Sequence, residues 1–197
     1  MTKTLYLMRH GQTLFNKRHR IQGWCDAPLT DLGVYQAQVA RQYFKNAGIT
    51  FDAAYSSTSE RACDTLEIVT NGSLPYQRVK GLKEWNFGTF EGESEDLNPP
   101  LPYEDFFVTY GGESQDQVRE RTAATILQLM QETKGKSVLM VSHGGAMANF
   151  ARAWEDNWRL DNLGHMTNCG ILKFSFEADQ FYLEEAIGHD FSGWEEK

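Results

Sequence analysis

The sequence predicts an α/β domain with a doubly wound, mostly parallel sheet, helices on both faces and an antiparallel edge strand near the C-terminus. Short apolar runs typical of buried strands alternate with longer segments whose apolar residues have helical spacing. This alternation is typical of parallel α/β sheets. The last two strand-like runs, 171–176 and 180–187, are separated only by a short turn, which predicts an antiparallel pair at a sheet edge.

The first strand and the first long helix are indicated by an apolar run and a cap residue. Residues 4–8 form the apolar run, which passes into a loop at Arg9. Thr30 follows a polar loop and is positioned to cap a helix that runs to about Ala47. Gly48 is expected to end that helix.

A second strand and helix are expected between residues 53 and 72. Residues 53–56 have the composition of a short strand. The segment Ser57-Thr58-Ser59-Glu60 has the pattern of a capping box, which predicts the start of a helix there. Asn71-Gly72 is a typical place for that helix to end.

The second half repeats the pattern with a helix, a strand and another helix. Ser114-Gln115-Asp116-Gln117 has the pattern of a second capping box, and the helix it begins is expected to stop at Gly135. Residues 137–142 form the clearest buried strand of the sequence, and they lead into His143 and a further helix.

The stretch 91–112 interrupts this alternation. It holds three of the five prolines together with acidic and aromatic residues. Two interpretations remain open: a lid over a site, or a surface excursion whose aromatic side chains pack on the domain. Because no linker separates two units, residues 1–197 are expected to form a single domain with 91–112 as a lid-like insertion.

Composition limits the classes of partner. The formal net charge is −8, which disfavours nucleic acid and anionic membranes as partners. The sequence has no apolar run long enough to span a membrane and no room for a signal peptide before the first strand. Its three cysteines are scattered, which suits a reducing compartment. We therefore expect a cytoplasmic protein.

Polar residues that suit phosphoryl transfer follow three of the predicted strands. Because ligands bind outside the carboxyl ends of parallel strands, Arg9, His10, Arg61 and His143 are expected to lie close together. A neutral imidazole such as that of His10 can attack phosphorus, and arginines offer bidentate donors to phosphate. His143 is expected to donate a hydrogen bond or carry positive charge, and Gly144 leaves backbone amides open to an oxyanion.

Arg9-His10-Gly11-Gln12-Thr13 resembles the signature of the histidine phosphatase superfamily, which includes cofactor-dependent phosphoglycerate mutases and many phosphatases. The resemblance continues in order along nearly the whole chain. The further matching segments are Asn16 and Arg20, Gln22 to Asp26, Pro28 to Thr30 with Gly33, Ser56 to Arg61 with Thr65, Glu84 to Gly92, Gly112 to Ser114, and Val141 to Gly145.

The resemblance implies a role for each matching residue. His10 is the phosphorylated nucleophile, and Glu84 protonates the leaving oxygen and then activates water. The phosphoryl group is bound by Arg9, Arg61 and His143. The pocket beside the phosphate is lined by Asn16, Gln22 and Gly23. The resemblance implies no metal ion and no cofactor, because the arginines and His143 supply the positive charge.

The segment that begins at Glu84 bears on the acceptor of the phosphoryl group. Residues 84–92 resemble those of the family's phosphatases, including the broad-specificity ones, and residues 93–110 contain no lysine or arginine. A mutase needs basic residues for a second charged group of its substrate, so hydrolysis is favoured. The basic cluster 17–20 argues weakly for a second anionic group.

Two alternatives to a small-molecule phosphatase stay open: a cofactor-dependent phosphoglycerate mutase, and a silent phosphate-binding regulatory protein. The expected partner is a small phosphorylated substrate. A homodimer is also compatible with the sequence, because Trp154, Trp158 and Trp194 either face a partner or fill the core.

Overall fold

The computed structural model describes residues 2–164 and 166–195. Within these ranges a six-stranded sheet has the order β3-β2-β4-β1-β5-β6. The strands are β1 Lys3–Arg9, β2 Ala53–Ser57, β3 Gln77–Val79, β4 Ser137–Ser142, β5 Ile171–Glu177 and β6 Gln180–Ile187. The α-helices are α1 Leu14–Lys17, α2 Asp31–Asn46, α3 Glu60–Thr70, α4 Gln115–Glu132 and α5 Gly144–Arg152.

The strand pairing confirms the predicted fold class. Strand β4 pairs in parallel with β1 and β2, and β3 pairs in parallel with β2. Strand β5 runs antiparallel to β1, and β6 runs antiparallel to β5 at the edge. The sequence did not predict β3, because its Gln77 and Arg78 are exposed polar residues and no apolar run marks it.

The two faces of the sheet are covered by different helices. In β1, Leu5 and Leu7 belong to one core cluster, and Tyr6 and Met8 belong to the other, as expected from the alternation of side chains along a strand. The first cluster includes residues of α4 and α5, and the second includes residues of α2 and α3. Helices therefore lie on both faces, which is the doubly wound arrangement.

Helix starts agree with the sequence in two of three places. Thr30 caps α2 by accepting from the Gly33 amide, and Ser114 and Gln117 form a capping box at α4. The expected capping box at 57–60 is wrong. Ser57 belongs to β2, where its hydroxyl lies 2.7 Å from His143, and α3 begins at Glu60 with a Ser59 side chain that makes no cap bond.

Helix α4 ends at Glu132, three residues before the predicted stop at Gly135. The backbone of Thr133 is already extended, with φ −65° and ψ 139°. The Lys3 side chain donates to the Thr133 carbonyl at 2.7 Å, so a contact from β1 satisfies a carbonyl at this helix end.

The stretch 91–112 packs partly on the domain and is partly exposed, so it has features of both the surface excursion and the lid considered from the sequence. Phe107 is fully buried and packs with Trp85 and Val118, so part of the stretch is anchored to the domain. Leu101, by contrast, is 77% exposed. In the described part of the chain, no helix is long and apolar enough to cross a membrane.

The three tryptophans that were candidates for an interface make contacts within the chain. Trp154 packs against Phe181, and the indole of Trp158 donates to the Ala151 carbonyl at 2.9 Å. The ring of Trp194 lies 5.4 Å from that of Tyr35.

Two serine N-caps provide a matched pair for testing these helix starts. We expect Ser114→Ala to lower the free energy of unfolding by about 1 kcal/mol, because it removes an acceptor from the first turn of α4. Ser59→Ala should cost clearly less, since the Ser59 hydroxyl caps nothing and is buried without a partner. Urea denaturation of both variants measures the difference, and equal losses would contradict it.

Candidate active site

The predicted reactive residues lie together at the carboxyl edge of the parallel strands. His10 follows β1, His143 follows β4, and Arg61 lies in the first turn of α3, just after β2. Glu84 comes from the segment that follows β3, the strand that the sequence did not predict. The parallel strands of the sheet therefore each contribute to one place, as expected for this class of fold.

The imidazole of His10 is held in one tautomer. Its Nδ1 lies 2.7 Å from the carbonyl oxygen of Gly11, which can only accept, so Nδ1 carries the proton. The lone pair is therefore on Nε2, which accepts from Nε of Arg61 at 3.3 Å. This is the state that a histidine nucleophile requires.

The surroundings of His10 also keep its ring neutral. Burial, followed by the positive charges of Arg61 and Arg9, lowers the pKa of His10 well below its ordinary value of 6.5. Because protonation would occupy the lone pair on Nε2, a depressed pKa keeps the nucleophile available at neutral and mildly acidic pH.

The Arg61 guanidinium is almost completely buried and is bound mainly by the protein itself. Besides His10, it donates to the carbonyls of Gly23 and Cys25 and to the Asp26 carboxylate, at 2.8 to 2.9 Å. Four of its five N–H groups are thus used within the described structure. The expected bidentate contact of Arg61 with phosphate does not fit this arrangement. Arg61 has one N–H group without a partner, and its Nε–H could bind phosphate only by leaving His10.

Arg9 lies beside His10 on the cavity wall. Its Nη1 donates to the Met166 carbonyl at 2.6 Å, while its Nε is buried and has no partner among the described atoms. A side chain on Gly144 would contact this guanidinium at about 3.4 Å, so the glycine brings the start of α5 close to it. An anion placed here would satisfy the free Nε.

His143 is fully buried behind His10, with their ring centroids 5.2 Å apart. Its Nε2 lies 2.7 Å from the Ser57 hydroxyl, and its Nδ1 has no partner in the described structure. Burial lowers the pKa of His143 well below its ordinary value, and electrostatic repulsion from Arg61 and then from His10 lowers it further. This lowered pKa disfavours the positive charge expected for His143, whereas the Ser57 contact agrees with the other expectation, a hydrogen-bonding role.

Glu84 is held at the N-terminus of α5. Its Oε1 accepts from the amides of Trp85 and Ala146, and its Oε2 accepts from the amide of Gly145, at 2.7 to 2.9 Å. A β-carbon on Gly145 would lie 2.7 Å from Oε1, so this approach requires glycine. The carboxylate is thus fixed by backbone donors and by the helix dipole.

A half-buried ion pair holds the segment that carries Glu84. Arg121 forms a bidentate pair with Glu113, with both N–O distances 2.8 Å. The same guanidinium donates to the carbonyls of Gly81, Lys83 and Glu84. Sequence reasoning assigned no role to Arg121, because a single arginine on a helix carries no signal, although Glu113 lies in the segment Gly112–Ser114 that resembles the family.

Glu91 fixes the loop that contains Gly23. Its carboxylate accepts from the amides of Trp24 and Cys25 and from Phe87. A β-carbon on Gly23 would clash with the Trp85 carbonyl oxygen, so only glycine fits at this position. The position of the Gly23 carbonyl, and with it Arg61, therefore depends on Glu91.

Of the remaining predicted pocket residues, Asn16 lies within α1, and Gln22 contacts Thr13, the N-cap of that helix. Gln22 accepts from the Thr13 hydroxyl at 2.6 Å through Oε1, and its Nε2 is buried without a partner among the described residues. Asn16 accepts from the Thr13 amide and from Asn168. Gln22 therefore keeps a donor available for an anion next to His10.

These residues border a cavity of about 790 Å³. Six of the nine predicted site residues line it: Arg9, His10, Asn16, Gln22, Glu84 and Gly144. Arg61, His143 and Gly23 do not line it and lie behind its wall. Residues Glu95, Asn98 and Tyr103 of the 91–112 stretch form part of another wall, and Arg152, which sequence reasoning did not select, lies at the C-terminal end of α5 on the cavity.

Among the residues that the structure describes, no group of three or more His, Cys, Asp or Glu side chains could hold a metal ion. The acidic residues of the site, Glu84, Glu91 and Asp26, are each bonded to backbone amides or to Arg61.

Comparisons with known proteins identify the family of this chain. A family model described as "Histidine phosphatase superfamily (branch 1)" matches residues 5–187. A metal-independent phosphoserine phosphatase of Arabidopsis thaliana is 28% identical over 212 residues, covering 89% of this chain and 88% of that protein. A phosphoglycerate mutase of Bacillus anthracis str. Sterne is similar in structure, with TM-score 0.81, 28% identity, and coverage of 93% of this chain and 92% of that one.

A phosphoserine phosphatase of Entamoeba histolytica, solved in complex with 3-phosphoglyceric acid, is also similar in structure. Its TM-score is 0.75 and its identity 27%, over 95% of this chain and 98% of that one. Relatives of both activities thus share the fold along nearly their whole length. The family match over residues 5–187, together with the site at the sheet edge, shows that the chain belongs to the histidine phosphatase superfamily.

Proposed function

We propose that this chain is a metal-independent phosphatase that hydrolyses small-molecule phosphomonoesters through a phosphohistidine intermediate on His10. The observation that carries the proposal is the state of that imidazole. Its proton is fixed on Nδ1 by Gly11, its Nε2 is unprotonated and accepts only the long 3.3 Å contact from Arg61, and the residue lines the cavity.

In the first step, the Nε2 lone pair of His10 forms a bond to phosphorus while the ester P–O bond breaks. The bonding electrons leave with the alcohol oxygen, which takes the proton of a protonated Glu84. Donors from Arg9, Gln22 and Arg61 stabilise the charge on the peripheral phosphoryl oxygens. The alcohol then departs as a neutral molecule.

In the second step, water attacks phosphorus and gives a proton to the Glu84 carboxylate. The N–P bond breaks, and its electrons return to Nε2 of His10. Inorganic phosphate is released, and both side chains regain their starting states. The three backbone amides that contact Glu84 hold its carboxyl group in place for this step.

Water is favoured over a second phosphoryl acceptor by the wall of the cavity. Glu95, Asn98 and Tyr103 come from the stretch 93–110, which has no lysine or arginine, and besides Arg9 the described lining of the cavity holds a single basic residue, Arg152. One exposed cation is little for the second phosphate of a bisphosphate. A mutase remains the second candidate, because phosphoglycerate mutases are among the similar proteins. The phosphoserine phosphatases among them make phosphoserine a compound to include in a substrate screen. We also propose a cytoplasmic location, which the free thiols of Cys25, Cys63 and Cys169 support.

We expect His10→Ala to abolish hydrolysis of an aryl phosphate, because no other group can form the covalent intermediate. Release of the phenol is measured in buffer that contains EDTA, so the wild-type rate also tests metal independence. His19→Ala, which changes an exposed histidine, is the control and should retain most activity. More than a few per cent of wild-type activity in His10→Ala, or loss of wild-type activity in EDTA, would contradict the proposal.

We expect Glu84→Gln to slow alkyl phosphates at least about tenfold more than aryl phosphates, because a poor leaving group needs the proton most. The kcat/KM ratio for the two esters measures this. Glu120→Gln, which changes an exposed carboxylate of α4, is the matched control. Equal slowing of both esters in Glu84→Gln would exclude Glu84 as the general acid.

The depressed pKa of His10 predicts a pH dependence of stability. In the unfolded chain the imidazole takes up a proton below its ordinary pKa of 6.5, whereas in the folded protein it stays neutral. The contribution of neutral His10 to the free energy of unfolding is therefore complete above this pH. It is lost as the pH falls from 6.5 towards the pKa that His10 has in the folded protein. Between about pH 7.5 and 5.5, His10→Asn should lose less unfolding free energy than the wild type in urea denaturation. An identical loss would show that His10 is not held neutral by the fold.

A further inference from the structure

One face of α5 runs along the cavity from the reaction centre to its outer part. Gly145, Ala148, Asn149 and Arg152 all border the cavity. Their spacing of three, four and seven residues places them on the same side of a helix. Gly145 donates to Glu84, and Arg152 follows two turns later, about 10 Å along the helix axis.

Arg152 is a cation with no partner in the described part of the chain. Its side chain is exposed at the cavity and makes no hydrogen bond or ion pair with another described residue. Within the described ranges, Arg9 and Arg152 are the only lysine or arginine residues that border this cavity. The protein as a whole carries a net charge of −8, so Arg152 marks a local site for a negative group.

Asn149, one turn before Arg152, offers a buried acceptor. Its Nδ2 donates to the Gly145 carbonyl at 2.9 Å, which fixes the orientation of the amide. Its Oδ1 is buried, in a residue only 1% exposed, and receives no donor from any described residue. Because buried acceptors are normally satisfied, this atom indicates a ligand group with a hydroxyl or amine hydrogen.

The cavity is larger than a phosphoryl group and a short carbon chain require. Its volume of about 790 Å³ is in the range of sites for drug-sized ligands. Four aromatic residues are among those that line the cavity: Trp85, Phe87, Tyr103 and Trp158. This lining suits an apolar or aromatic body.

We propose that Arg152 is a specificity-determining residue that binds a carboxylate at the far end of the alcohol moiety of the substrate. The substrate class is then a phosphomonoester with an apolar body between the phosphate and a distal carboxylate, and Asn149 accepts a hydrogen bond from a polar hydrogen of that body. Helical side chains lean towards the N-terminus, so the guanidinium reaches back along the cavity towards the ester. This inference rests on the phosphatase activity proposed above.

The test uses two esters of the same size, 4-carboxyphenyl phosphate and 4-carbamoylphenyl phosphate. The quantity measured is the ratio of their kcat/KM values, carboxylate over carboxamide. We expect Arg152→Gln to lower this ratio about fivefold, mainly through the KM of the carboxylate, because one exposed ion pair is lost. Arg152→Lys should retain part of the ratio, and Arg41→Gln, which changes an arginine that does not border this cavity, should leave it unchanged.

An unchanged ratio in Arg152→Gln, or an equal fall for both esters, would overturn the assignment. Calorimetric binding of 4-carboxybenzyl and 4-carbamoylbenzyl phosphonate distinguishes this failure from failure of the phosphatase proposal. If neither ester is hydrolysed but Arg152→Gln still weakens only the carboxylate phosphonate, the subsite is supported and hydrolysis is contradicted. If the variant binds both phosphonates like the wild type, the subsite is contradicted.

Discussion

The contact between Arg61 and His10 is the interaction on which the rest of the site depends. It joins the first turn of α3 to the residue that follows β1, and the same guanidinium fixes the loop at Gly23 and Cys25. A buried guanidinium needs nearly all of its donors satisfied, which explains why two backbone carbonyls and the Asp26 carboxylate converge on it. The positive charge it brings also helps to keep His10 neutral, so one contact sets both the position and the protonation of the nucleophile.

Glu84 is positioned by a separate set of contacts. The amides at the start of α5 hold its carboxylate, and the pair of Arg121 and Glu113 holds the backbone of its segment. Helix α5 therefore has two roles, since its N-terminus orients the carboxylate and its cavity face extends to Arg152. A helix fixed at the reaction centre can place a recognition group at a set distance from the bond that breaks.

The sequence predicted those parts of the arrangement that have a strong local pattern of residues. The apolar run 137–142 and the residues after it were predictable, because a buried parallel strand and a following glycine are strong patterns. Strand β3 was not, since its residues are polar and exposed. The lowered pKa of His143 depends on burial and on neighbours distant in sequence. Arg152 is a charged helix residue whose position at the cavity only the fold reveals.

The central claim is that His10 carries the phosphoryl group on Nε2 during turnover. The most direct measurement is ³¹P NMR of Glu84→Gln enzyme that is quenched in alkali during hydrolysis of an aryl phosphate, because the chemical shift distinguishes the two phosphohistidine isomers. We expect protein-bound phosphorus on Nε2 of His10, since Nδ1 is occupied by its bond to Gly11. Phosphorus on Nδ1 or on another residue, or a stoichiometric burst of phenol without protein-bound phosphate, would contradict the account.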